Sequence, residues 1–428
     1  MNIVYGIDFG TSNTVVSIES GGKSEVVDLG GGERVLPSIM FFERDKPVAI
    51  GTKGIREYSA ALERHRLSRD LYRHFRLFQA LKLALKDEYF EGSHVFGKYW
   101  SGEALTGLFL REVRRRADAG CGKAGREVVL GRPVRLAETP EKDALIQKRF
   151  EEACRLAGFE EVHFVKEPVA AMASLIGGVK GCTLVFDFGG GTLDITVARL
   201  LDDGIEILSS EGANLGGYIL DEDLSRGRII KHFGYGGHIR TMTGKSLEIP
   251  RWITNQVASF YALPLGDVVK TKQTIQDLMY DADRKSELKG LIEFLDRNLA
   301  FGLFGKIDEA KIALSSRDAA SVEFDLPPHI ALRERIGRSD FEQIIGKRIL
   351  AAEALVLKAV AEAGIEAEAV NHVIRVGGSC RIPAFVRMLE RNFPGKVREG
   401  EVYTSISAGL LRAWRLGLGC DRQGQDSF

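Results

Sequence analysis

Apolar residues alternate with short polar or glycine-rich breaks along much of this chain, a pattern typical of strands joined by tight turns. The clearest example begins with the partly β-branched run Leu184–Phe186, which predicts a strand. Gly189–Gly191 follow, and glycines turn the backbone easily because they have no Cβ atom. Ile195–Val197 begins a second strand. We therefore predict a β-hairpin with a glycine tip over residues 184–197.

The same arrangement occurs near the start of the chain, where Ile3–Tyr5 and Val15–Ile18 flank the sequence Asp-Phe-Gly-Thr-Ser-Asn. Successive backbone N–H groups in such tips can bind an anion, and a carboxylate beside a polyphosphate often contacts hydrated Mg²⁺. One glycine run alone would be explained as an ordinary tight turn. The repeat favours two related lobes that each contribute a phosphate-binding loop to one cleft.

Strand and helix patterns alternate between the two hairpins. Residues 55–118 are charged and helical in period, residues 126–136 predict a strand, and a helix follows from about 141 to 157. Another helix begins at Glu167 and carries a proline in its first turn, where the missing N–H costs nothing. This order predicts an α/β protein.

The pattern divides the chain into two lobes and a short tail. We predict lobe I over residues 1–180, with an inserted subdomain at about 40–115. Lobe II is predicted over 181–416, with a mostly helical inserted subdomain at about 222–315. Residues 417–428 form a polar tail that we expect to be frayed.

Composition narrows the possible partners. The 428 residues include 59 Lys and Arg and 59 Asp and Glu, so no excess of positive charge favours nucleic acid or an anionic membrane. The five cysteines form no CxxC pair, which argues against a zinc site or a disulfide framework. No signal-peptide pattern or membrane-length apolar run is present. We expect a cytoplasmic protein.

Taken in order, the motifs resemble those of the DnaK-type heat-shock protein 70 chaperones within the actin-like ATPase superfamily, and the order is similar to the short YegD-type relatives. The segments that carry the resemblance are Ile7–Asn13, Leu130–Pro133, Lys166–Ala171, Phe186–Asp194, Asn214–Gly217, Glu309–Ser316 and Gly377–Pro383. It implies an actin-like ATPase fold of two ribonuclease-H-like lobes with inserted subdomains, and ATP or ADP with Mg²⁺ in the cleft. Only the nucleotide-binding domain is covered, so we expect no peptide-binding domain or helical lid.

The resemblance also implies roles for individual residues. Asp8, Asp187 and Asp194 would surround Mg²⁺ and its waters. Glu167 would orient or deprotonate the attacking water, and Thr192 would join the catalytic residues with Asp187. The nucleotide-binding residues would be Gly10, Thr11, Ser12, Asn13, Gly189, Gly190, Gly191, Thr192, Gly216, Gly217, Lys311, Gly377, Gly378, Ser379 and Arg381.

The family also places a lysine near the γ-phosphate, and Lys82 in the sequence Phe78–Leu83 is the best match. Two interpretations of Lys82 remain open: an exposed helix lysine, or a catalytic group that stabilises charge on the transferring phosphoryl group.

Several positions depart from the family pattern. Ile312 stands where the eukaryotic chaperones have an arginine that stacks on adenine, Tyr218 replaces an acidic residue, and Tyr403 falls where an aspartate is usual. The predicted function is a weak ATPase that hydrolyses ATP to ADP and phosphate, with a protein partner or co-chaperone reading its shape. The alternatives are a nucleotide sensor with negligible turnover, a small-molecule kinase that uses Glu167 as its base, and an actin-like filament.

Overall fold

The computed structural model describes residues 3–20, 23–65, 68, 71–176, 178–201, 204–241, 243–258, 268–297, 299–400 and 404–418. Tyr403 and residues 419–428 of the predicted tail lie outside the described residues. Within these ranges, none of the helices combines the length and the apolar character needed to cross a bilayer.

The first half of the chain is built on one large sheet. The strands in this half of the chain, within the large sheet or outside it, are β1 (Val4–Phe9), β2 (Asn13–Ser20), β3 (Lys23–Val26), β4 (Leu36–Pro37), β5 (Ile39–Glu43), β6 (Ala49–Ile50), β7 (Phe75–Gln79), β8 (Gly92–Val95), β9 (Lys98–Ser101), β10 (Glu127–Arg132) and β11 (Glu161–Lys166). Its helices are α1 (Thr52–Arg64), α2 (Leu81–Lys86), α3 (Gly102–Cys121), α4 (Pro140–Leu156) and α5 (Glu167–Leu175). The large sheet has the order β11-β10-β1-β2-β3, with β4 paired to β2.

The second half repeats this plan with larger insertions. Its strands are β12 (Gly181–Phe188), β13 (Leu193–Leu200), β14 (Ile205–Ala213), β15 (His238–Arg240), β16 (Ser246–Glu248), β17 (Ala319–Leu326), β18 (Ile330–Gly337), β19 (His372–Val376) and β20 (Val397–Glu399). Its helices are α6 (Gly217–Leu224), α7 (Arg251–Thr254), α8 (Val268–Met279), α9 (Lys285–Asp296), α10 (Ala300–Leu314), α11 (Arg338–Ile344), α12 (Gly346–Glu362), α13 (Pro383–Asn392) and α14 (Thr404–Arg415). The main sheet has the order β14-β13-β12-β19-β20.

The two main sheets therefore share one strand order. In each sheet the first strand pairs antiparallel with the second and parallel with a later strand, as β1 does with β2 and β10 and as β12 does with β13 and β19. Both predicted hairpins are present at equivalent places in the two sheets. The turns of the two hairpins therefore lie at corresponding strand ends of the two sheets, which is the arrangement that the repeated motif predicted.

The stretch 55–118 is less helical than its charge pattern suggested. It contains β7, β8 and β9 in addition to its helices, and β7 pairs with β5 in a separate three-stranded sheet. Tertiary pairing outweighed the local pattern there, because β7 carries buried aromatic residues such as Phe75 and Phe78 that pack against β5 and its neighbours.

One apolar cluster joins the two lobes. It contains Val129 and Val165 from the first sheet, Val185 and Ile374 from the second, and residues of α5 and α14. The last helix, α14, lies against α5 and also crosses β1, although in sequence it comes at the end of the predicted second lobe. The close approach requires a glycine, since an added Cβ at Gly409 would overlap the carbonyl oxygen of Ala170 in α5.

We expect Gly409→Val to lower the free energy of unfolding by about 1–3 kcal/mol, because the new side chain must push α14 away from the α5 backbone. Urea denaturation followed by circular dichroism measures the change. Gly346→Ala is the matched control, since an added Cβ there meets no described atom within 4 Å, and it should leave the midpoint nearly unchanged. An equal effect of the two substitutions would contradict the packing argument.

Candidate functional site

The predicted site residues converge on one cavity of about 1030 Å³. Asp8 from β1 and Asp187 from β12 both line it, so the two hairpins face a shared space. The predicted residues that line the cavity are Asp8, Gly10, Thr11, Ser12, Asn13, Lys82, Glu167, Asp187, Gly189, Gly190, Gly191, Thr192, Gly217, Lys311, Gly377, Gly378, Ser379 and Arg381. Two others, Asp194 and Gly216, are buried behind these residues.

The first loop is a tight turn between β1 and β2. The amide of Gly10 donates to the carbonyl oxygen of Asn13 at 2.9 Å, and an added Cβ at Gly10 would overlap that same oxygen. Ser38 supports the turn from behind: its hydroxyl donates to Gly10 O at 2.9 Å, and its amide donates to Ser12 O at 2.8 Å. Glycine is thus required at position 10 for steric reasons.

The second loop is held in a similar way between β12 and β13. The amide of Gly189 donates to the carbonyl oxygen of Thr192 at 3.0 Å, which closes the turn. The amide of Gly217 then donates to Gly189 O at 3.0 Å. Gly216 lies so close to Gly190 that an added Cβ would overlap its carbonyl oxygen. The segment before α6 therefore supports this loop through backbone contacts.

The tips of the two loops approach each other directly. An added Cβ at Gly191 would lie 2.5 Å from Oγ1 of Thr11, and one at Gly190 would lie 3.0 Å from Oγ of Ser12. A larger residue at either glycine would therefore require these hydroxyl side chains or the loops themselves to shift. The glycine tip serves this close approach between lobes as well as its own turn.

Several carboxylates cluster where the loops meet. Asp187 and Asp194 occupy directly opposed positions on β12 and β13. Burial raises the pKa of Asp187 well above its ordinary value, and the charge of nearby Glu167 raises it further. The same two causes, burial first, raise the pKa of Asp8 to about 7 and that of Asp194 to about 6. This excess of negative charge favours a bound cation.

Lys82 is a cation beside this cluster that the chain itself supplies. Its Nζ donates to Oε1 of Glu167 at 2.5 Å, and the residue is only 6% exposed. Burial opposes its charge, but the negative charges of Glu167 and Asp8 outweigh burial and raise the pKa of Lys82. The interpretation of Lys82 as an exposed helix lysine is therefore wrong.

The backbone around Lys82 and Glu167 explains how they meet. α2 follows Ala80, which has the left-handed φ of 54° that is uncommon for alanine and sets the direction of the helix. Glu167 is the first residue of α5, and an added Cβ at Gly131 would lie 3.2 Å from its Cγ. Gly131 thus leaves room for the Glu167 side chain.

Asp194 connects the second hairpin to the first lobe. Its Oδ1 accepts a hydrogen bond from the amide of Val134 at 2.8 Å, in the loop after β10. Gly212 on β14 permits this contact, since an added Cβ there would lie 2.6 Å from the same oxygen. The Thr192 side chain also hydrogen-bonds to Asp194. Asp194 therefore supports the site from behind and reaches the loop that contains Pro133.

Lys311 also lines the cavity, where it belongs to a separate charge network. Its Nζ lies 2.8 Å from Oδ2 of Asp221 and 2.8 Å from Oδ1 of Asp308, and it donates to the carbonyl oxygen of Gly217 at 3.2 Å. Burial opposes the charge, but the two carboxylates outweigh it and raise the pKa of Lys311. The ammonium group is thus held rigidly beside α6.

The turn between β19 and α13 also lines the cavity. Ser379 donates from its hydroxyl to Gly189 O at 3.1 Å, which ties this turn to the second loop. Gly377 has a φ of 85°, and an added Cβ would overlap the carbonyl oxygen of Phe188. Arg381 is half exposed, and its Nε donates to Oε1 of Glu399 at 2.7 Å.

Several charged residues that line the cavity were missing from the sequence-based prediction, among them Lys86 and Asp221. Lys86 follows Lys82 by four residues in α2, and burial lowers the pKa of Lys86 to about 8. Asp221 lies in α6, and burial raises its pKa to about 6. The four-residue spacing in α2 was a usable signal for Lys86, whereas the sequence around Asp221 offered none.

Curated relatives match nearly the whole chain. A protein called Chaperone protein DnaK from Thermus thermophilus is 27% identical over 426 residues, which cover 95% of this chain and 60% of the relative. Chaperone protein DnaK from Mycoplasmopsis synoviae is 26% identical over 415 residues, which cover 95% of this chain and 58% of the relative. The chain thus spans about three fifths of the length of these relatives.

The family model described as Hsp70 protein matches residues 4–241 and 293–402. The unmatched stretch between them falls within the predicted insertion of lobe II. The match covers both hairpins, the elements around the cavity and both main sheets, and the predicted α/β actin-like ATPase fold is confirmed. On this evidence the chain belongs to the Hsp70 family.

Proposed function

We propose that this protein binds ATP with Mg²⁺ in the cavity between its lobes and hydrolyses it slowly to ADP and phosphate. One observation carries the proposal: two glycine-tipped turns, one from each lobe, meet at a single cavity beside a cluster of carboxylates. Glycine turns offer backbone N–H groups to phosphate oxygens, and the carboxylates suit the accompanying metal.

The carboxylate cluster fits Mg²⁺. Oxygen ligands are those that Mg²⁺ prefers, and it keeps several waters while it binds few protein groups. Oδ2 of Asp187 is buried and has no hydrogen-bond partner among the described residues, so this atom is available to a metal-bound water or to the metal. Asp8 and Asp187 would face the ion and its waters, with the charge of Asp194 behind them, and the ion would neutralise charge on the phosphates.

Lys82 and Glu167 would act on the reacting groups. Glu167 would orient the attacking water, and the bond from Lys82 holds the carboxylate in one place. Lys82 would also stabilise charge on the transferring phosphoryl group, because its burial keeps solvent from screening it. Catalysis of this kind depends mostly on positioning and charge neutralisation.

Binding and hydrolysis of ATP would change the shape of the protein, and this change would be the signal that it passes on. The Val134–Asp194 hydrogen bond links the metal site to the loop after β10, so closure around a nucleotide would move that loop. A protein partner or co-chaperone would read this movement at the surface. The cytoplasmic location stays a prediction from the sequence.

We expect Asp187→Asn and Thr192→Ala to lower phosphate release by about 100-fold, because each weakens the groups that position metal and phosphate. Single-turnover phosphate release from purified protein measures this. Asp318→Asn, at an exposed carboxylate that pairs with Arg338 at 3.1 Å, is the control and should leave the rate unchanged. Equal release from all four proteins would exclude hydrolysis in this cavity, and tight binding without turnover would instead select the sensor alternative.

Asp8→Asn should stabilise the metal-free and nucleotide-free protein by about 2 kcal/mol above pH 7. The raised pKa means that the folded protein binds the Asp8 proton more tightly than the unfolded chain does. The contribution of the Asp8 proton to the free energy of unfolding of the wild-type protein is therefore complete below about pH 4, and it is lost as the pH rises to about 7.

The advantage of Asp8→Asn should accordingly grow between pH 4 and pH 7 and then level off. Chemical denaturation in the presence of a chelator, repeated at several pH values, measures it. Asp318→Asn again provides the control. If the difference in the free energy of unfolding between wild type and Asp8→Asn does not change with pH, the electrostatic cost that we assign to ionised Asp8 is wrong.

A further inference from the structure

Lys86 lies one helical turn after Lys82, and both line the cavity. Residues four apart share one face of a helix, so the two ammonium groups enter the same space. Their partners differ, because Lys82 binds Glu167 of its own lobe, whereas Nζ of Lys86 donates to Oδ1 of Asn214 at 2.8 Å. Asn214 follows β14 in the second lobe. The Lys86 bond therefore crosses the cleft.

Asn214 lies in the short segment that supports the second phosphate loop. β14 ends at Ala213, and Gly216 and Gly217 make the backbone contacts that hold the loop over Gly189. Only a few bonds of the chain separate the Asn214 side chain from these contacts. A movement of the first lobe that displaces Asn214 would therefore also displace the loop that faces the phosphates.

Lys86 also lies between two cavities. It lines the main cavity and a second one of about 690 Å³, which Asn214 and Lys142 also line. The Lys86–Asn214 bond therefore spans the boundary between the lobes at a point where the two cavities meet. Separation of the lobes along this boundary must break the bond.

We propose that Lys86 and Asn214 form a clasp that holds the lobes together at the phosphate end of the cleft and slows nucleotide release. The inference rests on the proposed function, because it needs a nucleotide in the main cavity. Lys86 is a positioning residue here, since it acts through Asn214 and its supporting segment. Loss of a hydrogen bond from a charged donor should speed release about tenfold.

Stopped-flow chase of methylanthraniloyl-ADP in the presence of Mg²⁺ tests the clasp. Lys86→Met and Asn214→Ala should each speed release about tenfold, and the double variant should be no faster than either one, because both remove the same bond. Asn214→Asp should slow release, since it converts the bond into an ion pair. Lys142→Met is the matched control: it removes an ion pair with Glu88 at 2.8 Å within the first lobe and should change nothing.

Release from Asn214→Ala within twofold of wild type, or additive effects in the double variant, would overturn the clasp. Failure of the labelled ADP to bind wild-type protein would overturn the proposed function instead. The clasp would then be judged in the nucleotide-free protein by hydrogen–deuterium exchange over residues 209–217. Asn214→Ala and Lys86→Met should speed exchange there about tenfold, and unchanged exchange would exclude the clasp.

Discussion

The burial of several carboxylates in one place is the constraint on which this structure depends. Asp187, Asp194 and Glu167 are each less than a tenth exposed, and Lys82 is the buried ammonium beside them. A buried charge without a partner is costly, and burial accordingly raises the pKa of Asp187. The two main sheets must therefore supply enough apolar packing to hold these groups together, and an added cation would relieve the repulsion.

Close backbone contact keeps the cluster in place. The tips of the two hairpins touch at Thr11 and Gly191, and the glycines before α6 and after β19 lie against the same loop. Farther from the cavity, Gly409 brings the last helix onto α5, the helix that begins with Glu167. The same property, absence of a Cβ atom, thus sets both the shape of the cavity where the hairpins meet and the joint between the lobes.

Much of this arrangement could be predicted from local patterns, and the exceptions have physical reasons. The two hairpins were predictable because apolar runs, glycines and polar tips occur in one short order. The strands within 55–118 were not, since β7 owes its conformation to pairing with β5 rather than to its own residues. Asp221 was missed because a charged helix residue has the same sequence pattern whether it faces water or a cavity, whereas the four-residue spacing from Lys82 was a usable signal for Lys86.

By itself, the sequence determined the family, the repeated hairpin and the residue types available for phosphate and metal, because these depend on short motifs and local backbone preferences. Only the tertiary structure decided that Lys82 is buried beside Glu167, that Asp194 lies behind the cavity and bonds to Val134, and that Lys86 reaches the other lobe. Those facts depend on contacts between residues that are far apart in the chain, and no local pattern encodes the distance between them.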